Sequence, residues 1–110
     1  MGASLLQFHV LLALAGGALH GYAIAERVAA ESGGALRPRA GSLYRVIARL
    51  ISEGLVAESE GEADVPHPGL ARRYYTLTAA GRRTLGEEAR RLKHAAAAAE
   101  KRLGLARGRS

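Results

Sequence analysis

Two arginines on one predicted helix have the most chemically suggestive spacing in this chain. In the stretch RAGSLYRVIARLISEGLV, residues 39–56, Arg45 and Arg49 fall one helical turn apart, and Tyr44 precedes them. Guanidinium groups bind phosphates and the acceptor edge of guanine, and tyrosine hydroxyls bond phosphates. The spacing therefore indicates recognition of a polyanion, although a solvated helix face would have the same composition.

The charge balance of the chain agrees with a polyanionic partner. Sixteen Lys and Arg residues stand against ten Asp and Glu residues among 110, which gives a formal net charge of +6 at pH 7. Such an excess favours association with nucleic acid first and with an anionic membrane surface second. A chain of this length is enough for one domain with a single core.

The residues that could support catalysis or metal binding lack the required spacing. The chain contains no cysteine, which excludes disulfides and thiolate metal sites. His9, His67 and His94 are not spaced as metal ligands, and no Ser-His-acid set, phosphate-binding glycine loop or carboxylate pair stands out. We therefore expect a protein that is not an enzyme and that needs no metal or cofactor.

The hydropathy pattern predicts a soluble, cytoplasmic protein. The longest apolar run, VLLALAGGAL at residues 10–19, has about ten residues, whereas roughly twenty are needed to span a bilayer. The N-terminal segment lacks the positive charge of a secretory signal. No membrane partner is expected, although the basic C-terminal stretch loosely permits binding at a membrane surface.

Three helices are predicted before any strand. Apolar residues at helical spacing indicate a first helix over residues 5–15 and a second within residues 20–32. The third helix has Ser42 as its candidate N-cap. Its apolar stripe consists of Leu43, Val46, Ile47, Leu50 and Ile51. With this stripe packed on the protein, Arg45 and Arg49 would lie on the opposite face.

Two short strands joined by a loop are predicted after the third helix. The segments GLVAESE and RRYYTLT are typical of strands, and GEADVPHPG between them has the prolines and glycines of a loop. If Leu77 points inward, Arg73 and Tyr75 share its face and Arg72 lies on the other. Tyr75 is expected in the core, and His67 in the loop is a minor candidate for contact with a partner.

The last segment predicts a long helix that begins after Thr78 and ends at Gly104. Leucines and alanines on it recur at the spacing of a coiled-coil heptad. This seam consists of Leu85, Ala89, Leu92, Ala96, Ala99 and Leu103. Because the first helix is also apolar on more than one face, we expect a homodimer whose interface combines the seam with Leu5, Phe8 and Leu12. The alternative is that the last helix packs only on its own domain.

The order of these elements predicts a mainly helical fold with a small β-hairpin. Three helices followed by a hairpin form the winged helix-turn-helix arrangement, in which the third helix enters the DNA major groove and the hairpin reaches along the backbone or into a minor groove. We expect residues 1–78 to form this DNA-binding domain, and residues 79–110 to form a C-terminal dimerisation helix and a basic tail.

The sequence resembles the PadR-like transcriptional regulators in three blocks. These are ALAGGALHGYAIAERV, AGSLYRVIARLISEGLV and RRYYTLTAAGRRTL, and with the loops between them the resemblance covers about residues 5–90. It implies a homodimer that represses a promoter and is sometimes released by a small molecule. The C-terminal part resembles the short subfamily with one dimerisation helix. Where the family commonly has Ser-Pro-Gly-Thr, this chain has Arg39-Ala40-Gly41-Ser42.

Seven residues are candidate DNA contacts. They are Arg39, Ser42, Tyr44, Arg45, Arg49, Arg72 and Arg73. Arg45 and Arg49 could read base edges or touch only phosphates, and Tyr44 could instead be a half-buried packing residue. Arg39 would place a cation near a helix N-terminus, which is unfavourable unless a phosphate lies there. His20 matches a family motif and is expected to order a turn or to pack against the wing.

Two other classes of function stay open at this stage. One is a protein-interaction module that has the same fold but does not recognise bases. The basic face of the third helix distinguishes a DNA-binding protein from such a module. A membrane-surface binder is the weaker alternative, because the seam has few large apolar groups. With no Trp and a single phenylalanine, Phe8, the chain is unsuited to an aromatic-lined effector cavity. A site for a small effector between the first and last helices is the remaining possibility.

Overall fold

The chain folds into four helices and a small sheet over the residues that the computed structural model describes, 4–60 and 73–105. The helices are α1 (Leu5–Leu14), α2 (Gly21–Glu31), α3 (Ala40–Ser52) and α4 (Ala79–Leu103), and the strands are β1 (Leu19–His20), β2 (Val56–Glu60) and β3 (Arg73–Leu77). This arrangement confirms the predicted mainly helical winged fold. The sheet, however, has one more strand than the sequence led us to expect.

Helix α1 is the central element of the core and is fixed at its start by a reciprocal cap. The Ser4 hydroxyl accepts a hydrogen bond from the Gln7 backbone N–H at 3.1 Å, and the Gln7 side chain accepts one from the Ser4 N–H at 2.9 Å. Val10, Leu11 and Leu14 on α1 are fully buried. Because α1 contacts α2, α3, α4 and β3, its apolar surface organises the whole domain.

The core lies where α1 meets one face each of α2 and α3. Its members from these two helices are Ile24, Val28, Leu43, Ile47 and Leu50, all of which are buried. Their spacing of three and four residues is the helical pattern that the sequence predicted. Ile51, at the edge of the predicted stripe, is 37% exposed, so the buried face of α3 is narrower than the sequence suggested.

The sheet is a three-stranded antiparallel sheet in the order β1-β3-β2, and the predicted two-stranded hairpin is its larger part. On the central strand, Tyr75 pairs with Leu19 of β1 and with Glu58 of β2. Strand β1 has only two residues, so it carries no alternation from which a strand could be predicted. Tyr75 and Leu77 are buried, as expected, and Arg73 is exposed.

Thr78 is the N-cap of helix α4, as predicted. The Thr78 hydroxyl accepts a hydrogen bond from the Gly81 N–H at 3.0 Å and donates one to the Gly54 carbonyl at 2.7 Å, which ties the start of α4 to the end of α3. A Cβ atom on Gly81 would lie 2.1 Å from the Leu55 carbonyl oxygen, so this close approach requires glycine. Gly104, with a φ of +72°, ends the helix in the left-handed conformation.

Most of α4 extends away from the core. Leu85 in its second turn packs against the core, whereas all residues from 89 to 97 are exposed. The described part of the chain is accordingly elongated, with principal extents of 56 × 26 × 24 Å. The division of the chain at residue 78 stays a prediction, since the first turns of α4 share the core of the preceding elements.

Candidate nucleic-acid interface

The outer face of α3 presents both of its arginines to solvent. Leu43, Ile47 and Leu50 hold the opposite face in the core. Arg45 and Arg49 are exposed and are not covered by any other part of the described chain. A helix that is anchored on one side and cationic on the other has the shape that a major groove about 12 Å wide admits.

The Arg45 side chain runs toward the beginning of α3. Its Nη2 donates a hydrogen bond to the Ser42 hydroxyl at 3.4 Å, and its Nη1 lies 3.7 Å from the position that a Cβ atom on Gly41 would occupy. The guanidinium group therefore lies along the first turn of the helix. The cationic end of Arg45 is therefore carried to the start of α3.

The Arg49 side chain runs in the opposite direction, toward the end of α3. Its Nε donates to the Glu53 Oε2 atom at 3.1 Å, and the two side chains are 69% and 43% exposed. An exposed pair at this i,i+4 spacing contributes only about 0.3–0.5 kcal/mol to stability. In the structure the pair directs Arg49 toward the end of α3 and offsets its charge. The sequence reasoning did not single out Glu53, although its spacing from Arg49 was a readable signal.

The start of α3 differs from the prediction. Ser42 is not the N-cap, because the helix begins at Ala40 and Arg39 occupies the cap position with an extended backbone. The Arg39 side chain makes no hydrogen bond to the helix, so the first turn lacks a capping side chain. Arg39 is exposed beside this uncapped turn. The hydroxyl that was expected to cap the helix instead contacts Arg45.

Tyr44 lies over the first residue of α2. It is 47% exposed, and a Cβ atom on Gly21 would sit 2.2 Å from its hydroxyl oxygen and 2.8 Å from its ring carbon Cζ. The glycine of the HGY motif is thus the residue that makes room for the tyrosine of the third helix. Tyr44 is therefore partly a packing residue and partly exposed to solvent.

His20 connects the start of α2 with the wing. Its Nδ1 accepts a hydrogen bond from the Ala23 N–H at 3.3 Å and so caps α2. Its ring stacks on Tyr22 at a centroid distance of 6.5 Å and meets Tyr74 of β3 edge-on at 5.6 Å. The expectation that His20 orders a turn and packs against the wing is confirmed. Tyr22, whose ring stacks on that of His20, is 70% exposed.

The wing carries one of its two predicted arginines in an ion pair. Arg73 on β3 donates from Nη1 to the Glu58 carboxylate on β2, and the Arg73 side chain is 72% exposed. The hydrogen bond and the charge of Glu58 raise the pKa of Arg73, so this side chain stays cationic. Arg72 and His67 lie outside the described residues. Arg73 can contact a phosphate only if it leaves or shares its partner on the neighbouring strand.

Tyr75 belongs to strand β3, and its side chain is buried in the core. The residue is 5% exposed. Burial raises the pKa of Tyr75, and the nearby Tyr44 and Glu58 act in the same direction. This confirms the expectation that Tyr75 belongs to the core, and it excludes Tyr75 from the candidate contact surface.

An apolar surface on α1 and α4 is left open by the chain itself. Leu5, Leu92 and Leu103 are 57%, 41% and 70% exposed. The alanines of the predicted seam, Ala89, Ala96 and Ala99, are also exposed, Phe8 and Leu12 are half-buried, and Leu85 is half-buried against its own core. This surface, called the seam surface below, is the place where the sequence predicts a second copy of the chain.

One acidic residue beside the seam surface was not anticipated. Glu88 is 9% exposed, and its Oε1 accepts hydrogen bonds from Arg91 Nη2 at 2.7 Å and from Arg91 Nε at 3.2 Å. Both donors belong to one guanidinium group and bond a single carboxylate oxygen, which gives the largely buried Glu88 a charged partner. The i,i+3 spacing of the two residues is compatible with this pair but does not reveal that Glu88 is buried.

The described residues contain no group of three His, Asp or Glu side chains arranged to hold a metal ion. Over the same residues, no helix has both the length and the apolarity that crossing a bilayer requires.

The sequence was compared with protein-family profiles and with known proteins, and each comparison found a match. The profile of the Transcriptional regulator PadR-like family matches residues 10–87. A protein of Streptomyces fradiae, known as an uncharacterized 37.1 kDa protein in transposon TN4556, is 43% identical over 83 residues, which are 76% of this chain and 21% of that protein. This chain therefore spans about a fifth of the length of that relative.

Solved structures share the fold. The structure of Bacillus subtilis PadR in complex with operator DNA is similar with a TM-score of 0.64 at 25% identity, and the match covers 76% of this chain and 46% of that one. A PadR family transcription regulator from hypervirulent Clostridium difficile has a TM-score of 0.75 at 19% identity, over 91% of this chain and 99% of that one. At 19% identity the likeness shows the fold alone.

Proposed function

This chain belongs to the PadR-like family of transcriptional regulators, and we propose that it is a sequence-specific DNA-binding repressor that acts as a homodimer on an inverted-repeat operator. The observation that carries the proposal is the outer face of α3, where Arg45 and Arg49 are exposed opposite three buried anchors. A recognition helix in a winged helix-turn-helix protein needs this combination, because one face must stay packed while the other enters the major groove.

Further cations supply the expected phosphate contacts around this helix. Arg39 stands at the uncapped start of α3, where helix N–H groups and a guanidinium together favour an anion. Arg73 on the wing and the hydroxyl of Tyr44 are the other described candidates. Contacts of this type fix the register of a protein on the duplex, whereas base contacts from α3 would give the sequence preference.

The seam surface supports a dimer. Exposed leucines on α1, in the middle of α4 and at its C-terminal end would be covered by a second copy of the chain. A two-fold dimer presents two recognition helices to half-sites of opposite orientation, about one helical turn apart. The structure of Bacillus subtilis PadR is a complex with operator DNA, and its likeness to this chain supports DNA binding here. Repression follows if the operator overlaps a promoter, since the bound dimer excludes the transcription machinery.

The proposal is tested by selecting genomic DNA fragments on the purified protein and measuring their affinities by fluorescence anisotropy at several salt concentrations. We expect fragments that share an inverted repeat, and a log–log salt dependence with a slope of about −0.9 for each phosphate contacted. Equal affinity for selected fragments and for unrelated DNA of the same length would contradict specific binding. A protein partner that stays bound after nuclease treatment and high salt would favour the interaction module instead.

A further inference from the structure

The two arginines of α3 are drawn to opposite ends of the helix. Arg45 is held by the Ser42 hydroxyl, three residues before it, and Arg49 is held by the Glu53 carboxylate, four residues after it. The Cα atoms of the arginines are about 6 Å apart along the axis, but the residues that hold their guanidinium groups are about 16 Å apart at 1.5 Å per residue. In this arrangement the two guanidinium groups point away from each other along α3 and would meet different parts of a half-site.

The two ends of a recognition helix are not equivalent. In helix-turn-helix proteins the N-terminal residues of the recognition helix contact the base edges. Arg45 carries its guanidinium to that end, where the Ser42 hydroxyl accepts its hydrogen bond. Arg49 has its Nε on the Glu53 carboxylate just beyond the other end, and both arginines line the groove between α3 and the start of α1.

We propose, building on the proposed DNA-binding function, that Arg45 alone of these two arginines reads a base, with Ser42 as its positioning residue, and that Glu53 withdraws Arg49 from base reading. The base is guanine, because a guanidinium group matches the O6 and N7 acceptors with two parallel hydrogen bonds. Ser42 acts through Arg45 by holding the guanidinium over the first turn. Glu53 neutralises Arg49, which lowers affinity for all DNA equally and does not select sequence.

Substitution of each arginine by lysine distinguishes their roles in recognising the selected operator. Lysine keeps the charge of arginine but loses the planar fork that pairs with guanine. Arg45→Lys should lower discrimination at one position of each half-site by about tenfold or more. Arg49→Lys is the matched control on the same helix and should leave discrimination at every position unchanged. Affinities are measured for the operator and for its single-base-pair variants, and circular dichroism checks that each variant is folded.

The role of Ser42 is tested by its coupling to Arg45. Ser42→Ala should relax the same operator position as Arg45→Lys, and Ser42→Thr, which keeps a hydroxyl, should restore discrimination. In an Arg45→Lys background, Ser42→Ala should have no further effect on discrimination at that position, since its effect passes through the arginine. A loss from Ser42→Ala that is the same in both backgrounds would overturn the positioning role.

Neutralising Glu53 should increase affinity for DNA, whereas the Arg45 and Ser42 substitutions should weaken discrimination. Glu53→Gln should strengthen binding to the operator and to unrelated DNA by the same factor and should steepen the salt slope by up to about 0.9, because Arg49 becomes free to displace a counterion. A loss of affinity confined to the operator would show that Glu53 holds Arg49 for base reading, and it would overturn the proposal.

Failure of this inference can be told from failure of the proposed function. If the unmodified protein prefers no sequence, the proposed function and this inference fall together. If it selects an operator, and Arg49→Lys relaxes a position or Arg45→Lys relaxes none, the DNA-binding function stands and the division between the two arginines is wrong.

Discussion

The hydroxyl of Tyr44 on α3 lies so close to Gly21 on α2 that a Cβ atom added to Gly21 would be 2.2 Å from the tyrosine oxygen. This contact joins the start of α2 to the helix that carries the candidate recognition face. Beside it, His20 caps α2 and meets Tyr74 of the wing. The orientation of α3 relative to the wing therefore depends on one missing side chain and on a cluster of aromatic rings.

Substitution of Gly21 by alanine should move Tyr44 without unfolding the protein. The clashing atoms belong to a half-exposed side chain that can rotate away, so we expect the free energy of unfolding to change by less than about 1 kcal/mol. If Tyr44 bonds a phosphate, its displacement should cost about 1–2 kcal/mol of DNA-binding free energy, measured by anisotropy. The loss should be absent in a Tyr44→Ala background. Full affinity in Gly21→Ala alone would show that Tyr44 is only a packing residue.

Substitution of Gly81 by alanine should destabilise the fold strongly. Its Cβ atom would lie 2.1 Å from the Leu55 carbonyl oxygen, which is backbone and cannot rotate away. We expect a loss of about 1–3 kcal/mol or more in the free energy of unfolding, measured by urea titration. Gly86→Ala on the same helix is the matched control, because its Cβ atom would meet only Arg90 Nη1 at 3.7 Å. That change should be neutral or stabilising by up to about 1 kcal/mol, from helix propensity. Equal losses from both would contradict the close approach at Gly81.

A glutamate in the seam should dissociate the dimer, whereas one at the next position should not. Ala96 lies on the predicted seam and Ala97 does not, although both are exposed in a single chain. Ala96→Glu would place an unpaired charge in a dimer interface, which disfavours association. We expect sedimentation equilibrium to give a monomer for Ala96→Glu and a dimer for Ala97→Glu. The same oligomeric state for the two variants would indicate that α4 does not pair along this seam.

Alkaline pH should destabilise the protein partly through Tyr75. The pKa of Tyr75 is raised above its ordinary value of 10.0 in the folded chain, first of all by burial. As the pH rises past 10, the unfolded chain releases this proton before the folded chain does, so the free energy of unfolding falls until the folded pKa is passed. Tyr75→Phe cannot ionise and should show a smaller fall between about pH 9 and pH 11 in urea titrations. The exposed Tyr22→Phe serves as control, and equal falls in the two variants would exclude this role of Tyr75.

Several features of the fold were predictable from short stretches of sequence because their causes are local. Thr78 caps α4 and Gly104 ends it as predicted, since a hydroxyl at a cap and a glycine with positive φ act within one helical turn. The buried positions of α2 and α3 follow from their spacing. Ser42 was predicted as a cap because helix caps are often hydroxyl residues. That prediction was wrong, since the helix already begins at Ala40. The strand β1 was missed because its partners, Tyr74 and Tyr75, are distant in sequence. The cap of α2 by His20 is local, through Ala23 three residues on.

By itself, the sequence determined the cationic character of the chain, the number of long helices and the residues that face the core, because charge and apolar periodicity are properties of the residue order. Only the tertiary structure decided that Arg45 and Arg49 point to opposite ends of α3, that Arg73 is paired with Glu58 and that Tyr44 rests on Gly21. The physical reason is that the direction of a long side chain depends on which neighbour offers it an acceptor or leaves it room. The sequence alone did not settle that choice, even where the partner lies on the same helix.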